Sequence, residues 1–82
     1  MGRYVIKNNI RRLRFNAGEM TQQELADRTG VTRQTIVAIE NEKYYPTLEL
    51  AFRIASVFNT PLEEVFIYTS DEMPVTPLTD AI

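Results

Sequence analysis

The stretch Thr21–Glu40, TQQELADRTGVTRQTIVAIE, carries the signals of two short helices joined by a glycine. Thr21 and Glu24 have the Ser/Thr-x-x-Glu spacing of a capping box, in which each side chain satisfies a free backbone N–H of the other residue. Gly30 can end this helix, because glycine adopts the positive φ of a helix C-terminus at little cost. These signals predict a helix over Thr21–Thr29.

The second helix of the pair begins two residues after the glycine. Thr32 is a suitable N-cap, and the pattern predicts a helix from there to about Asn41. Ile36 and Ile39 lie three residues apart and therefore share the face that meets the core. Two short helices with so tight a connection, and a glycine in the turn, are typical of a helix-turn-helix motif, here at about residues 21–41.

Three further helices are predicted from apolar residues at helical spacing, over residues 8–17, 48–58 and 62–66. The last of these follows Thr60 and Glu63, which again have the spacing of a capping box. Pro61 fits the first helical position between them, where its missing N–H costs nothing. The chain is therefore predicted to be mainly α-helical, with five helices.

Two segments at the edges of this helical region are rich in β-branched and aromatic residues. RYVIK, residues 3–7, and VFIYT, residues 65–69, are predicted as short strands that can pair within one chain or between two. Residues 70–82 contain two prolines and no periodicity, and are predicted to be extended or disordered. We expect one domain over residues 1–69 and an acidic C-terminal tail over residues 70–82.

Composition excludes several classes of function. The 82 residues include no cysteine and no histidine, which removes disulfides, thiolate metal sites and the commonest general base. We therefore expect no metal, no cofactor and no enzymatic activity. No apolar run approaches the roughly 18 residues of a membrane span, and the N-terminal residues lack the apolar core of a signal peptide. These features favour a cytoplasmic protein with no membrane partner.

The charge is polarised along the chain although its net value is only −2. Residues 1–18 hold five basic residues and no acidic one, whereas residues 61–82 hold five acidic residues and no basic one. The basic N-terminal segment can bind a polyanion despite the acidic tail, because physiological salt screens the charge of the tail beyond about 8 Å. The alternative is that both runs are simply solvated surfaces.

The segment MTQQELADRTGVTRQTIVAIENEKYYPTLELAFRIA resembles the helix-turn-helix of the Cro and phage-repressor family of DNA-binding regulators, small bacterial and archaeal members above all. The resemblance covers residues 8–66 and implies a lambda-repressor-like domain of five helices. The matching positions keep a fixed spacing, at Gln22, Leu25, Ala26, Gly30, Val31, Ile36, Ile39 and Glu40.

The resemblance implies that the second helix of the motif enters the major groove of double-stranded DNA. Arg33 suits guanine and Gln34 suits adenine, because their paired donors and acceptors match those base edges. The alternative is that both are ordinary solvated residues. The residues expected to read bases are Thr32, Arg33, Gln34, Val37 and Ala38.

Contacts to phosphates are expected beside this helix. Gln22 begins the preceding helix, where free N–H groups favour an anion. The resemblance also implies an ion pair between Arg14 and Glu40, and the alternative for Arg14 is a phosphate contact. The expected phosphate-binding residues are Gln22, Asn41, Lys43, Tyr44, Asn16 and Arg12.

The chain departs from the family pattern at two places. Glu42 stands where the family usually has glycine, which would strain the backbone if φ is positive there and would place a negative charge near DNA. The connection between Arg14 and Gln22 carries one residue more than in shorter members, which can alter its phosphate contacts.

One helix in one groove reads too few base pairs for specificity, so a homodimer on a palindromic operator is expected. The expected function is that of a transcriptional regulator, a repressor that occludes its operator on the nucleoid. Alternatives are an antitoxin whose acidic tail binds a toxin protein, and an accessory domain of an enzyme. The residues expected at the dimer interface, unless they only close the core, are Phe58, Leu62, Val65, Phe66, Ile67 and Tyr68.

Overall fold

The computed structural model describes residues 4–70 as five helices and one two-stranded antiparallel sheet. This confirms the predicted mainly α-helical fold with terminal strands that pair. Except for Ser70, the predicted acidic tail lies outside the described residues. In chain order the elements are β1 (Tyr4–Asn8), α1 (Ile10–Asn16), α2 (Gln22–Thr29), α3 (Arg33–Glu40), α4 (Leu48–Val57), α5 (Leu62–Val65) and β2 (Phe66–Ser70).

The capping box predicted at the start of α2 is present. The Thr21 hydroxyl accepts a hydrogen bond from the Glu24 N–H at 3.0 Å, and the Thr21 N–H donates to Glu24 Oε1 at 3.1 Å. The backbone N–H of Thr21 lowers the pKa of the Glu24 carboxyl below its ordinary value, and the Thr21 side chain adds to this effect. The capping box therefore stabilises the fold at pH values above the ordinary pKa of a glutamate carboxyl. This stabilisation is lost as the pH falls through the lowered pKa of Glu24.

The second predicted capping box, at the start of α5, is wrong. Pro61 is the N-cap of α5 and there is no side-chain cap hydrogen bond. The Thr60 hydroxyl instead donates to the Phe58 carbonyl at 2.9 Å. Phe58 is the C-cap of α4, where carbonyl groups lack intrahelical partners. The Thr60 N–H, to which the Glu63 carboxylate would bind in a capping box, donates instead to the Ala55 carbonyl at 3.0 Å.

Each of the two strands begins and ends one residue later in the chain than predicted. Tyr4 lies opposite Ser70 and Asn8 lies opposite Phe66, whereas Arg3 lies outside the described residues. The Asn9 N–H donates to the Val65 carbonyl at 2.9 Å and continues the pairing to the start of α1. The sheet therefore fixes the start of α1 against the end of α5.

The core lies between the helices and is formed mainly by branched aliphatic side chains. Its largest fully buried apolar members are Ile10, Leu25, Ile36, Ile39, Ile54 and Val65. Val65 has no exposed surface, so its predicted place in a dimer interface is wrong. The side chain of this α5 residue is enclosed by the monomer, because α5 packs on the core cluster with Leu62 and Phe66 at its edge.

The departure at Glu42 does strain the backbone, since this residue has a φ of 60°. The conformation is left-handed, which side chains with a Cβ adopt at a cost of roughly 1–2 kcal/mol. Gly30, in the turn between α2 and α3, has a φ of 78° and needs no such cost. The chain thus places glycine at one left-handed position of the motif and a glutamate at the other.

Replacing Glu42 by glycine is expected to raise the free energy of unfolding by about 1 kcal/mol, because the left-handed strain is removed. Urea denaturation of the wild-type chain and the variant measures this difference. Glu42→Ala is the matched control, since it removes the same charge and keeps a Cβ at the same φ. An equal gain in both variants would assign the effect to charge and contradict the backbone explanation.

Candidate nucleic-acid interface

The helix α3 has one buried face and one open face. Ile36 is fully buried and Ile39 nearly so, which anchors α3 to the core. Arg33 and Gln34 are exposed at its first turn. Within the described part of the chain neither of their side chains has a hydrogen-bond or ion-pair partner, and their donors and acceptors remain free for a ligand.

Three other predicted base-reading residues are less free than Arg33 and Gln34. Val37 and Ala38 are only half-buried, so they can contact a partner but do not project from the surface. The hydroxyl of Thr32 accepts from the Thr35 N–H at 3.2 Å and lies 3.1 Å from the Thr35 hydroxyl. The structure therefore gives Thr32 a capping role that fixes the first turn of α3.

The expected ion pair between Arg14 and Glu40 is present and joins α1 to the end of α3. Arg14 Nε donates to Glu40 Oε2 at 2.7 Å, and Nη2 donates to Oε1 at 3.1 Å. The third nitrogen, Nη1, donates to the Met20 carbonyl at 2.8 Å. The two side chains are only 14% and 7% exposed, so this guanidinium is a structural link between elements.

The same carboxylate also holds Gln22, a contact that no sequence pattern indicates. Gln22 is the first residue of α2, and its Nε2 donates to Glu40 Oε1 at 3.3 Å. An amide nitrogen carries two hydrogens, so the second N–H and the carbonyl oxygen remain available. Glu40 thus orients Gln22 at the helix N-terminus where a phosphate is expected.

Arg12 lies near this N-terminus, whereas nothing places Asn16 there. Arg12 and Thr21 line the same surface cavity of about 450 Å³, together with Arg11 and Arg14. Asn16 is exposed at the last turn of α1 and does not line this cavity. Arg12 thus shares a cavity with the N-cap of α2, and the carboxylate of Glu19 lines that cavity as well.

The predicted phosphate-binding residues on the other side of α3 lie in one ordered turn. Asn41, Lys43 and Tyr44 are all exposed. The Lys43 N–H donates to the Ala38 carbonyl at 2.8 Å, which folds the turn back onto the end of α3. The exposed carboxylate of Glu42 lies within this turn and opposes an anion there.

The end of α3 is also held from the N-terminal strand, through a residue that sequence reasoning missed. Asn8 Nδ2 donates to the Ile39 carbonyl at 2.9 Å, and Asn8 Oδ1 accepts from the Ile10 N–H at 3.2 Å. An asparagine between a strand and a helix is a frequent cap, but its partner in α3 is 31 residues away. Only the folded chain brings them together.

The amino-acid sequence matches known proteins over most of the chain. A family model described as helix-turn-helix matches residues 10–65, and the chain belongs to this family, of the Cro and phage-repressor type. No helix within residues 4–70 has the length and apolar character needed to cross a membrane.

Several relatives carry the name of uncharacterized HTH-type transcriptional regulators. One from Archaeoglobus fulgidus is 52% identical over 62 residues, which are 76% of this chain and 83% of the relative. A second from that archaeon is 47% identical over 68 residues, or 83% of this chain and 96% of the relative. YgzD of Bacillus subtilis is 43% identical over 61 residues, 74% of this chain and 91% of its own length. The family and these names support a DNA-binding regulator.

Removing the carboxylate of Glu40 is expected to lower the free energy of unfolding by about 3 kcal/mol, because Arg14 would remain as a mostly buried charge without its partner. Thermal or urea denaturation of Glu40→Ala measures this loss. Glu49→Ala is the matched control, since the ion pair of Glu49 with Arg53 is exposed and such pairs contribute about 0.3–0.5 kcal/mol. Equal losses in the two variants would contradict the structural role of Glu40.

Proposed function

We propose that this protein is a sequence-specific double-stranded DNA-binding transcriptional regulator that represses by occupying its operator as a homodimer. One observation carries the proposal: Arg33 and Gln34 are exposed, and without side-chain partners among residues 4–70, on a helix whose opposite face is anchored in the core. The names of the relatives, which call them transcriptional regulators, agree with it. The proposed place of action is the nucleoid in the cytoplasm, where such an operator lies.

The base-reading role is proposed for the first turn of α3. The guanidinium of Arg33 can donate two hydrogen bonds to O6 and N7 of guanine, and the amide of Gln34 can pair with N6 and N7 of adenine. Val37 and Ala38 offer apolar contact to thymine methyl groups. Thr32, with its hydroxyl engaged in the cap, contributes mainly by orienting its neighbours.

The phosphate contacts are proposed on the two sides of α3. Gln22 at the start of α2, with Arg12 beside it, would hold one stretch of backbone. Asn41, Lys43 and Tyr44, in the turn after α3, would hold the other. Contacts of this kind position the helix in the groove without reading sequence.

A homodimer and repression follow from the size of the reading surface. One short helix contacts only a few base pairs, so two copies on half-sites about 34 Å apart are needed for specificity. The described residues form one helix-turn-helix domain with its terminal strands. Occlusion of an operator is the simplest regulation that such a domain provides.

Selection of binding sites from random duplex DNA is the experiment that tests this function. Enrichment of a two-fold symmetric sequence is the expected result. Recovery of no enriched sequence, from a chain shown by circular dichroism to be folded, would contradict the proposal.

Arg33→Ala is expected to cost about 1–3 kcal/mol of binding free energy for each half-site and to abolish base preference at one position of each half-site. Fluorescence anisotropy with single-substituted duplexes measures both effects. Arg28→Ala is the matched control, because it removes the same charge from an exposed position at the opposite end of α2 from Gln22. Base preference that survives Arg33→Ala would place the reading surface elsewhere.

Lys43→Ala is expected to weaken binding to all duplexes alike, because a phosphate contact carries no sequence information. A homodimer carries two copies of Lys43, so the slope of the logarithm of the binding constant against that of salt concentration should fall in magnitude by about 2, or about 1 for each copy. Titrations at several salt concentrations, for the selected site and a scrambled duplex, provide the measurement. An unchanged slope would mean that Lys43 does not contact DNA.

A further inference from the structure

An open cavity lies between the end of α1 and the start of α2, on residues that the proposed function uses only in part. Its volume of about 450 Å³ is within the range of roughly 300–1,000 Å³ that is typical of small-molecule sites. Phe15 and the buried Met20 give it an apolar lining. The polar residues that line it are Arg11, Arg12, Arg14, Glu19 and Thr21.

Phe15 offers this cavity an uncovered phenyl ring. The residue is 67% exposed and is not part of the core cluster. Among residues 4–70 its ring stacks on no other aromatic ring. The face of a phenyl group pairs favourably with a second ring in an offset-stacked or edge-to-face arrangement. Phe15 is therefore suited to hold the ring of a ligand.

Two guanidinium groups with free donors accompany this ring. Arg11 lies four residues and Arg12 three residues before Phe15, so the three side chains share one face of α1. Neither arginine has a hydrogen-bond or ion-pair partner for its side chain among residues 4–70. The third arginine, Arg14, is engaged in its ion pair with Glu40. A guanidinium binds a carboxylate through two parallel N–H···O hydrogen bonds, so the free pair suits a carboxylate.

The charges around the cavity fit a ligand with a single negative charge. Glu19 places a carboxylate on the lining, and it forms no ion pair with any of residues 4–70. The charge of Arg14 is balanced by Glu40. Arg11, Arg12 and Glu19 together leave one net positive charge, which matches a monoanion. A dianion such as hydrogen phosphate would be repelled more strongly by Glu19.

The connection between α1 and α2 holds this cavity in shape. The Glu19 N–H donates to the Phe15 carbonyl at 3.1 Å, and the Met20 N–H donates to the Arg14 carbonyl at 2.9 Å. Arg14 Nη1 donates in turn to the Met20 carbonyl at 2.8 Å. A ligand would therefore bind without having to order this segment, which lowers the entropic cost of binding.

We propose that this cavity binds a small aromatic monocarboxylate. The carboxylate accepts hydrogen bonds from Arg11 and Arg12, and the ring packs against Phe15 and Met20. A methionine is a favourable neighbour for a ring, because sulfur–aromatic contacts are attractive. A cavity of about 150 Å³ already holds benzene, so the larger volume here admits one ring or two fused rings together with the carboxylate.

Such a ligand regulates DNA binding, and this step rests on the proposed function, in which Arg12 and Gln22 hold a DNA phosphate. A carboxylate bound to the Arg12 guanidinium neutralises the charge that attracts the phosphate, and it also repels the phosphate directly. The bound carboxylate therefore acts as an inducer that releases the operator.

Titration of naphthoate with the protein, without DNA, tests the binding site. The chain contains no tryptophan, so the fluorescence anisotropy of the naphthyl group is measured without interference from indole. Saturable binding of one naphthoate per chain is the expected result. Excess benzoate should displace the probe, whereas excess acetate or inorganic phosphate should not, because neither carries a ring.

Arg12→Gln and Phe15→Ala are each expected to weaken naphthoate binding about tenfold, because one removes a charged donor and the other removes the ring. Arg28→Gln and Phe52→Ala are the matched controls, since both side chains are exposed and neither lines this cavity. Both controls should bind naphthoate as the wild type does. Circular dichroism checks that all four variants are folded.

The amide NMR signals of the wild-type protein give a second measurement that needs no variant. Addition of naphthoate is expected to shift the signals of residues 11–21. The signals of α4 should stay in place, because no residue of that helix lines the cavity.

A competition with the selected operator tests the regulatory step. Saturating naphthoate is expected to weaken operator binding by the wild type, and the same concentration should have a smaller effect on Phe15→Ala. The titrations without DNA are independent of this step. A failure to select any operator would therefore refute the proposed function and leave the ligand site intact.

Absence of saturable naphthoate binding at millimolar concentrations would overturn the inference. So would wild-type affinity in folded Arg12→Gln and Phe15→Ala, or displacement of naphthoate by inorganic phosphate, which would indicate a general anion site. Operator binding that is unchanged by bound naphthoate would overturn the regulatory step.

Discussion

The Glu40 carboxylate, paired with Arg14, is the contact on which the arrangement of the reading elements depends. It accepts from the guanidinium at 2.7 and 3.1 Å and from the Gln22 amide at 3.3 Å, and so joins the end of α3 to α1 and to the start of α2. Arg14 extends this network to the Met20 carbonyl in the connection between α1 and α2. Because a buried charge without a partner is strongly unfavourable, these elements have few other stable arrangements.

The remaining contacts of α3 complete its fixation. Its first turn is capped by Thr32, its middle is anchored by Ile36 and Ile39, and the Ile39 carbonyl accepts from Asn8 of the N-terminal strand. A helix held in this way can present side chains in a defined direction at little further entropic cost.

Local signals in the sequence predicted most of the fold because their partners lie within a few residues. The capping box of Thr21 and Glu24 and the left-handed Gly30 were confirmed for that reason. The same signature at Thr60 was wrong, since the Thr60 N–H donates to the Ala55 carbonyl in the last turn of α4 and is not available to Glu63. Of the site, the sequence predicted the exposed Arg33 and Gln34 by helical spacing, and their contacts with bases remain predictions.

The sequence by itself determined the five helices, the turn between α2 and α3, and which side chains of α3 share a face. Tertiary structure alone decided which faces outside the motif are covered. Val65 is enclosed, whereas Leu48 and Phe52, equally apolar in the sequence, are exposed. Helical periodicity orients side chains only about the axis of their own helix. Whether a face is buried depends on distant packing partners, here the pairing of the two terminal strands and the position of α5, which no local pattern encodes.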